Sequence, residues 1–299
     1  MDDFGLTPLP GGHSGETFLA AAAGELSVVR LYARRGAVRG PHAPEVDAAV
    51  LTLVRGLVPV PDVLEVRRAD PDAGTPGLLV TTFLPGERLD RLLPGMSDAD
   101  RQAVGRQLGR ILGRLAGMPL LRAGELLDPE LRIGPMPEEA RDLPSWVAAH
   151  RTGTALWAWA EHRMEGLVAV ADRAQELLDG VARACLVHGD FNPKNLLVDA
   201  GTGAVTGLVD WEFAHAGLPV SDLGNLLRFE RAPAFADAVL GAFAEMVPDA
   251  GDDVLDLARA ADLFALVELA ARKGENPVTE RAEELLAAIA DSGDLHAVP

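Results

Sequence analysis

Several polar side chains are concentrated in one short interval of this 299-residue chain, between two apolar runs. The interval reads LVHGDFNPKNLLV, residues 186–198, and it contains His188, Asp190 and Asn195. The apolar runs predict two strands, with the polar residues in the loop between them. A carboxylate in such a loop can orient a hydroxyl and accept its proton, whereas carboxylate and amide oxygens together suit a metal ion. The interval is therefore a candidate catalytic or metal-binding loop.

A second acidic position follows shortly afterwards. The segment AGTG predicts a turn between strands at 196–199 and 205–210, and GLVDWE places Asp210 at the end of the second strand. A hairpin brings Asp210 back beside the loop that holds Asp190 and Asn195. Two carboxylates and an amide at one end of a hairpin suit Mg²⁺ with bound phosphates.

A glycine-rich segment near the start of the chain could contact phosphates. LPGGHSGETF, residues 9–18, is predicted to join strands, and its glycines let backbone N–H groups approach a ligand closely. The segment matches neither the Walker pattern nor a dinucleotide fingerprint. A plain hairpin turn is the alternative interpretation.

One basic residue lies within an apolar strand. Arg30 occurs in SVVRLYA, and a buried charge is costly unless it has a partner. Glu45, near the start of the following helix, is the predicted partner. The alternative is an arginine on the outward face of the strand.

The elements around these residues divide the chain into two parts. Residues 1–90 predict strand, strand, helix, strand, strand, with ETFLAAA and LSVVRLYAR as a hairpin and the helix within 40–57. Later residues predict mainly helices, of which the first begins at a capping pair, Ser97 and Asp100. The other predicted helices cover residues 145–166, 166–180, 253–273 and 279–290. The fold class predicted is α+β with two lobes: a small N-terminal antiparallel-sheet lobe, 1–88, a hinge near 83–88, and a larger mainly helical lobe, 89–299, that carries one short hairpin.

Composition narrows the range of partners. The net charge of −18 argues against nucleic acid, and 33 acids against 19 bases in residues 91–299 favour a cationic small molecule near the clefts of that lobe. Solubility alone is the other explanation of this charge. No apolar run approaches the roughly 20 residues that span a bilayer, so no membrane partner is expected. The acidic start MDDFGLTPLP and the single Cys185 predict a cytoplasmic location.

Taken in order, these motifs resemble the aminoglycoside phosphotransferase and choline kinase-like group, which is related to the protein kinases. HGDFNPKN resembles the catalytic loop of that group, and LVDWEFAHAGLPVSDLGNLL resembles its metal-binding segment and the Asp-Leu anchor that follows. The resemblance covers nearly the whole chain and implies a protein-kinase-like fold.

The resemblance also implies roles for particular residues. Asp190 would be the catalytic carboxylate, Asn195 and Asp210 would hold Mg²⁺, and Asp222 would anchor the loop. Arg30 stands where the group has a lysine, and it keeps the charge with a different geometry. The implied nucleotide-binding residues are Gly11, Gly12, Ser14 and Gly15 over the phosphates, Arg30 and Glu45 as the ion pair, and Thr82, Phe83 and Leu84 beside the base.

The predicted reaction is transfer of the γ-phosphoryl group of ATP or GTP to a hydroxyl of an antibiotic, which would confer resistance. The acceptor would be an aminoglycoside, a basic cyclic peptide or a macrolide. A metabolite kinase for choline, homoserine or a sugar is the alternative on the same fold. Two alternatives come from other classes: a metal-dependent hydrolase that uses His188, Asp190, Asp210 and His215, and a nucleotide-binding pseudokinase.

Overall fold

The computed structural model describes residues 5–9, 17–22, 24–33, 39–70, 72–248 and 251–299. The strands are β1 (Gly5–Pro8), β2 (Thr17–Ala22), β3 (Glu25–Tyr32), β4 (Val63–Arg67), β5 (Gly77–Thr82), β6 (Glu87–Arg88), β7 (Pro119–Leu120), β8 (Gly124–Glu125), β9 (Ala184–Val187), β10 (Leu196–Val198), β11 (Val205–Leu208) and β12 (His215–Gly217). The α-helices are α1 (Ala43–Val54), α2 (Leu89–Leu92), α3 (Asp98–Ala116), α4 (Leu143–Arg151), α5 (Glu161–Leu178), α6 (Ser221–Leu227), α7 (Pro233–Met246), α8 (Val254–Ala271) and α9 (Pro277–Ser292). None of the helices in these ranges is long and apolar enough to cross a bilayer.

The N-terminal lobe is one antiparallel sheet with a helix packed on it. Its strand order is β1-β2-β3-β5-β4, which confirms the four predicted strands and adds β1. The buried face of α1 carries Val46, Val50 and Val54, at the spacing that predicts a helix. Arg30 pairs in register with residues of both β2 and β5, so it lies within the sheet and not at its edge.

The two lobes are joined directly after β5. Residues 83–86 leave the sheet, and β6 pairs with β10 of the predicted hairpin. The hydroxyl of Thr206 donates a hydrogen bond to the carbonyl of Pro85 at 2.6 Å. The division of the lobes at residue 88 stays a prediction. It places β6 in the N-terminal lobe, although β6 pairs with β10 of the C-terminal lobe.

The C-terminal lobe is mainly helical, and it contains more β structure than the single predicted hairpin. The hairpin β10–β11 forms a three-stranded sheet with β6, and four short strands form a further sheet of order β7-β9-β12-β8. The predicted cap at Ser97 is confirmed, because its hydroxyl accepts a hydrogen bond from the Asp100 N–H at 3.3 Å. The chain is thus a two-lobed α+β protein, as predicted.

Two predictions about these helices are wrong. Residues 145–166 do not form one helix, because α4 ends at Arg151, a 3₁₀ turn at Ala155–Ala158 follows, and α5 begins at Glu161. Thr154 begins the turn, since its hydroxyl accepts the Leu156 N–H. In addition, α6 and α7 lie in segments for which no helix is predicted.

A buried ion pair connects α8 to the end of α6. The guanidinium of Arg228 donates three hydrogen bonds to the carboxylate of Asp262, at 2.7–3.1 Å, and both side chains are less than one-tenth exposed. The pair lies close enough to the loop that carries Asp190 for the charge of Arg228 to oppose the rise that burial causes in the pKa of Asp190.

Replacing Asp262 with alanine is expected to lower the free energy of unfolding by about 3–5 kcal/mol, because the Arg228 charge is then buried without a partner. Urea unfolding followed by circular dichroism measures the change. Glu268→Ala, on the same helix, removes a half-exposed carboxylate paired with Arg272 and is expected to cost less than about 1 kcal/mol. Equal losses in the two variants would show that the Arg228–Asp262 pair does not stabilise the lobe.

Candidate active site

The predicted catalytic carboxylate is held by the side chains around it. Asp190 follows β9, and the amide of Asn195 donates to its Oδ2 at 2.8 Å and to its carbonyl at 2.9 Å. Asn192 donates to the other carboxylate oxygen, Oδ1, at 2.6 Å. Burial raises the pKa of Asp190 to about 6, against the lowering effect of the Asn195 hydrogen bond. Both oxygens are therefore oriented by amide donors before any substrate binds.

His188 fixes the backbone of this loop. Its Nδ1 accepts the Asp190 N–H at 3.2 Å, so Nε2 carries the proton and donates to the Val209 carbonyl at 3.1 Å. The ring is fully buried and packs edge-on to Trp211, with centroids 4.6 Å apart. Burial lowers the pKa of His188 to about 4, so the imidazole is neutral near pH 7. The ring therefore braces the loop.

Asp222 supports the same loop from α6. Its carboxylate accepts the His188 N–H at 2.7 Å and the Gly189 N–H at 2.9 Å. Burial raises the pKa of Asp222 to about 7, although the two backbone hydrogen bonds favour its ionised form. The position agrees with the anchor implied by the resemblance.

The hairpin places Asp210 beside Asp190 and Asn195, as predicted. The Val209 N–H donates to the Asn195 carbonyl at 2.9 Å, which fixes the position of the next residue, Asp210. The charge of Asp210 contributes to the raised pKa of Asp190. The predicted strand 205–210 is two residues too long: β11 ends at Leu208, because Asp210 adopts a left-handed conformation with φ of 67°.

Arg30 reaches this group of acids across the two lobes. Its Nη1 donates to Asp210 Oδ1 at 2.7 Å, and its Nη2 donates to Glu212 Oε2 at 2.5 Å. Burial alone would lower the pKa of Arg30, but the charges of Asp210 and Glu212 raise it above the ordinary value. The charge of Arg30 is thus compensated by two carboxylates of the DWE segment in the C-terminal lobe.

The predicted Arg30–Glu45 pair is wrong. Glu45 accepts from the guanidinium of Arg68 at 2.7 and 3.1 Å, and it lies 3.0 Å from the ring of His42. The hydrogen bond from Arg68 lowers the pKa of Glu45. Successive helix residues are about 100° apart around the axis, so Asp47, two positions after Glu45, is the acid of α1 that faces β3.

The Asp47 side chain is buried. The hydroxyl of Tyr32 donates to its Oδ2 at 2.7 Å, and Arg39 donates to both of its oxygens. The guanidinium of Arg30 lies over the Tyr32 ring, 5.4 Å from the centroid. Helix α1 therefore reaches Arg30 through an aromatic ring, and not through a direct carboxylate contact.

The residues predicted beside the nucleotide base lie at the junction of the lobes. The Thr82 hydroxyl accepts the Asp62 N–H at 2.9 Å, the Phe83 side chain is 37% exposed, and Leu84 packs against Gly207 of β11. Gly11, Gly12, Ser14 and Gly15 lie outside the described residues.

A model of the "Phosphotransferase enzyme family" matches residues 5–291, which is nearly the whole chain. The chain belongs to this family. It is a kinase-type enzyme, as predicted. Its fold is that of the aminoglycoside phosphotransferases, which have a protein-kinase-like fold.

Solved structures that are similar to this phosphotransferase agree with that fold. A crystal structure of a thermostable mutant of aminoglycoside phosphotransferase APH(4)-Ia, in its apo form, superposes with a TM-score of 0.68 at 18% identity and covers 97% of this chain and 94% of that one. The GDP complex of wild-type aminoglycoside 2'-phosphotransferase-IIIa superposes with a TM-score of 0.67 at 17% identity. The match covers 97% of this chain and 93% of that one.

A curated relative is more similar in sequence over a shorter span. Acyl-CoA dehydrogenase family member 10 of Mus musculus is 27% identical over 215 residues, which is 71% of this chain and 19% of that protein. This phosphotransferase therefore spans about a fifth of the length of that relative.

The oxygen atoms around Asp210 fit a magnesium ion. Asn195 uses its Nδ2 on Asp190, and its Oδ1 accepts no hydrogen bond among the described residues. Asp210 and Glu212 add carboxylate oxygens from the same segment. Hard oxygen donors of this kind are those that Mg²⁺ binds together with phosphates.

Sequence reasoning missed the roles of two acids in this arrangement. From the sequence, Glu212 is only a loose candidate for contacts with the acceptor, as are Asp142, Glu161 and Glu268. Its place two residues after Asp210 in DWE is the signal for a role beside Asp210. For Asp47 the signal is the helical phase of α1, which turns this residue towards Tyr32 of β3. The other loose acceptor candidates have partners within the chain: Asp142 caps α4, Glu161 pairs with Arg151 and Glu268 pairs with Arg272.

Gly189→Ala is expected to destabilise the catalytic loop. Gly189 has φ of 81°, and a Cβ built there lies 2.4 Å from the carbonyl oxygen of Phe213. Gly203→Ala is the matched control, because its φ of 70° carries the same backbone cost of about 1 kcal/mol while its Cβ meets nothing within 4 Å. We expect Gly189→Ala to lower the free energy of unfolding by about 1–3 kcal/mol more than the control in urea titrations. Equal losses would contradict this account of the close approach.

Proposed function

We propose that this phosphotransferase moves the γ-phosphoryl group of ATP or GTP to a hydroxyl of a small molecule, with Asp190 accepting the hydroxyl proton. The acceptor oxygen forms a bond to the γ-phosphorus, the bond to the β,γ-bridging oxygen breaks, and the nucleoside diphosphate leaves with that electron pair. The observation that carries the proposal is the arrangement of Asp190 between two amide donors and beside Asp210. A carboxylate held in this way can orient a hydroxyl.

The donor side rests on residues from both lobes. Asn195 and Asp210 would hold Mg²⁺, which when bound neutralises charge on the transferred group. Arg30 can present two parallel N–H groups to a phosphate, which a lysine cannot do. Thr82, Phe83 and Leu84 would border the base, and the glycine-rich segment 9–18 would cover the phosphates. A crystal structure of an APH(4)-Ia mutant in a ternary complex with ADP and hygromycin B supports nucleotide as the donor.

We propose a cationic antibiotic of the aminoglycoside type as the acceptor, and resistance as the consequence. The negative electrostatic potential of the acidic C-terminal lobe as a whole supports a cationic acceptor. Individual acids give less support, since Asp142, Glu161 and Glu268 already have partners within the chain. The hygromycin B complex of the APH(4)-Ia mutant supports it by likeness of fold. A cytoplasmic location remains part of the proposal.

Release of nucleoside diphosphate, measured with ATP and GTP in parallel, tests the acceptor class. The panel contains aminoglycosides, basic cyclic peptides, macrolides, choline and homoserine, each with wild type and Asp190→Ala. We expect an aminoglycoside to stimulate release in the wild type alone. Stimulation by choline or homoserine alone would replace the antibiotic with a metabolite, and release without any acceptor would contradict the transfer reaction.

The hydrolase alternative has less support from the geometry. It needs His188 as a metal ligand, and both ring nitrogens of that residue are hydrogen-bonded to backbone groups in the interior. Among the described residues, no group of three or more His, Cys, Asp and Glu side chains is arranged to hold a metal ion. The pseudokinase alternative rests only on Arg30 in the place of the lysine, whereas Asp190, Asn195 and Asp210 lie together.

A further inference from the structure

The guanidinium of Arg30 lies between the two carboxylates of the DWE segment. One terminal nitrogen is 2.7 Å from Asp210 Oδ1 and the other is 2.5 Å from Glu212 Oε2, although the residues are about 180 positions apart in sequence. The Arg30 side chain is 17% exposed, and those of Asp210 and Glu212 are 34% and 20% exposed. The contact is therefore partly shielded from solvent, and it is stronger than a surface ion pair.

Arg30 is the principal partner of both acids. Within the described ranges, neither Asp210 nor Glu212 makes another hydrogen bond or ion pair. The guanidinium thus supplies the positive charge that lies directly against these two neighbouring carboxylates.

Neither acid of helix α1 is hydrogen-bonded to Arg30, although the charge of Asp47 acts on it from further away. Glu45 is bound to Arg68, and Asp47 is bound to Tyr32 and Arg39. Tyr32 holds the guanidinium only through its ring face, at 5.4 Å. The Arg30 side chain therefore has one ionic anchor among the described residues, and it is the segment expected to bind the cation.

A divalent cation and a guanidinium cannot both be held closely by these carboxylates without repelling each other. We infer that Arg30 is an internal counter-ion that competes with a divalent cation for Asp210 and Glu212 until a nucleotide phosphate attracts the guanidinium. The chain alone then binds the cation weakly, and nucleotide and cation bind with positive coupling. This inference rests on the proposed function, because it assigns the cation and the nucleotide to that site.

Binding of Mn²⁺ in the absence of nucleotide tests the inference. Free Mn²⁺ is measured by electron paramagnetic resonance in titrations of wild type and Arg30→Met. We expect the Kd for Mn²⁺ to be at least about tenfold lower in Arg30→Met, since the competing charge is gone. Arg68→Met removes one positive charge from the same lobe, but Arg68 is paired with Glu45 and not with Asp210 or Glu212. Its Kd for Mn²⁺ is therefore expected to stay within about twofold of wild type. An unchanged or higher Kd in Arg30→Met overturns the inference.

Two further variants keep the experiment decisive. Arg30→Lys retains a positive charge with a single contact point, so it tests the inference even if Arg30→Met is unstable. Its Kd for Mn²⁺ is expected to lie between that of wild type and that of Arg30→Met. The double variant Arg30→Met with Asp210→Asn is expected to lose the tighter binding. If the double variant binds Mn²⁺ as tightly as Arg30→Met does, the cation is not bound at Asp210 and the inference is wrong.

The inference and the proposed function can fail separately. Unchanged Mn²⁺ binding in both Arg30 variants, together with acceptor-dependent release of nucleoside diphosphate, rejects the counter-ion and keeps the phosphotransferase. Tighter Mn²⁺ binding in Arg30→Met, with no release for any acceptor, keeps the counter-ion and rejects the proposed reaction.

Discussion

Replacing Asp190 with alanine is expected to lower kcat by about 10²–10⁴-fold while the Kd for nucleotide stays within about threefold of wild type. The carboxylate is held by Asn192 and Asn195, whereas the hydrogen bonds of Arg30 go to Asp210 and Glu212. Its removal therefore affects the transfer step and not the binding of phosphates. Steady-state kinetics and calorimetry with a non-hydrolysable nucleotide measure the two quantities.

Asp199→Asn is the matched control for this prediction. Asp199 lies in the turn between β10 and β11, where it accepts hydrogen bonds from Gly201 and Thr202 at the surface. Its replacement changes one acid of the same hairpin and is expected to leave kcat within about twofold. If Asp190→Ala retains transfer within about tenfold of wild type, Asp190 is not the group that accepts the proton.

Replacing Asp210 with asparagine is expected to raise the Kd for nucleotide at least about tenfold when Mg²⁺ is present and to change it much less in EDTA. Asparagine is chosen because Asp210 has φ of 67°, which asparagine tolerates better than alanine. Transfer is expected to fall by about 10²-fold or more, since Mg²⁺ and phosphate are then poorly held. Calorimetry with and without Mg²⁺ measures the difference.

An equal loss of nucleotide affinity with and without Mg²⁺ would contradict the assignment of Asp210 as a metal ligand. That result would instead indicate a general electrostatic or folding effect. Asp199→Asn again serves as the control, because it changes an acidic residue of the same hairpin at a distance from Arg30.

The catalytic loop could be predicted from sequence because its geometry is local. Apolar runs on both sides of HGDFNPKN fix two strands, and a short turn returns the chain to Asp210, so proximity follows from the hairpin alone. The helix that begins at Ser97 was predictable for the same reason, since a cap and an apolar period lie within one segment. The resemblance to a known family then assigned roles that the spacing left open.

The partners of Arg30 could not be predicted in this way. Its contacts with Asp210 and Glu212 join residues about 180 positions apart, and they depend on how the two lobes meet. The error over Glu45 has a smaller cause, because a rotation of two residues along α1 decides which acid faces β3. Strands of two or three residues, such as β7 and β8, are too short for any periodic pattern to indicate.

The arrangement of the loop explains why buried ionisable groups surround it. His188 and Asp222 make no contact with a substrate in this account, yet each binds backbone atoms of the residues that carry Asp190. Since burial lowers the pKa of His188 to about 4, the imidazole keeps one tautomer and one orientation through the neutral range. These residues hold the backbone that carries the Asp190 carboxylate.

The most direct test of the proposed reaction is the fate of the γ-phosphoryl group. Wild-type protein is incubated with Mg²⁺, γ-labelled nucleotide and the acceptor that stimulates release of nucleoside diphosphate, and the products are separated and identified by phosphorus NMR. The account predicts that the label forms a phosphate ester with a hydroxyl of the acceptor, in equal amount to the nucleoside diphosphate. Label found only in inorganic phosphate would contradict it, because water and not a small-molecule hydroxyl would then be the acceptor.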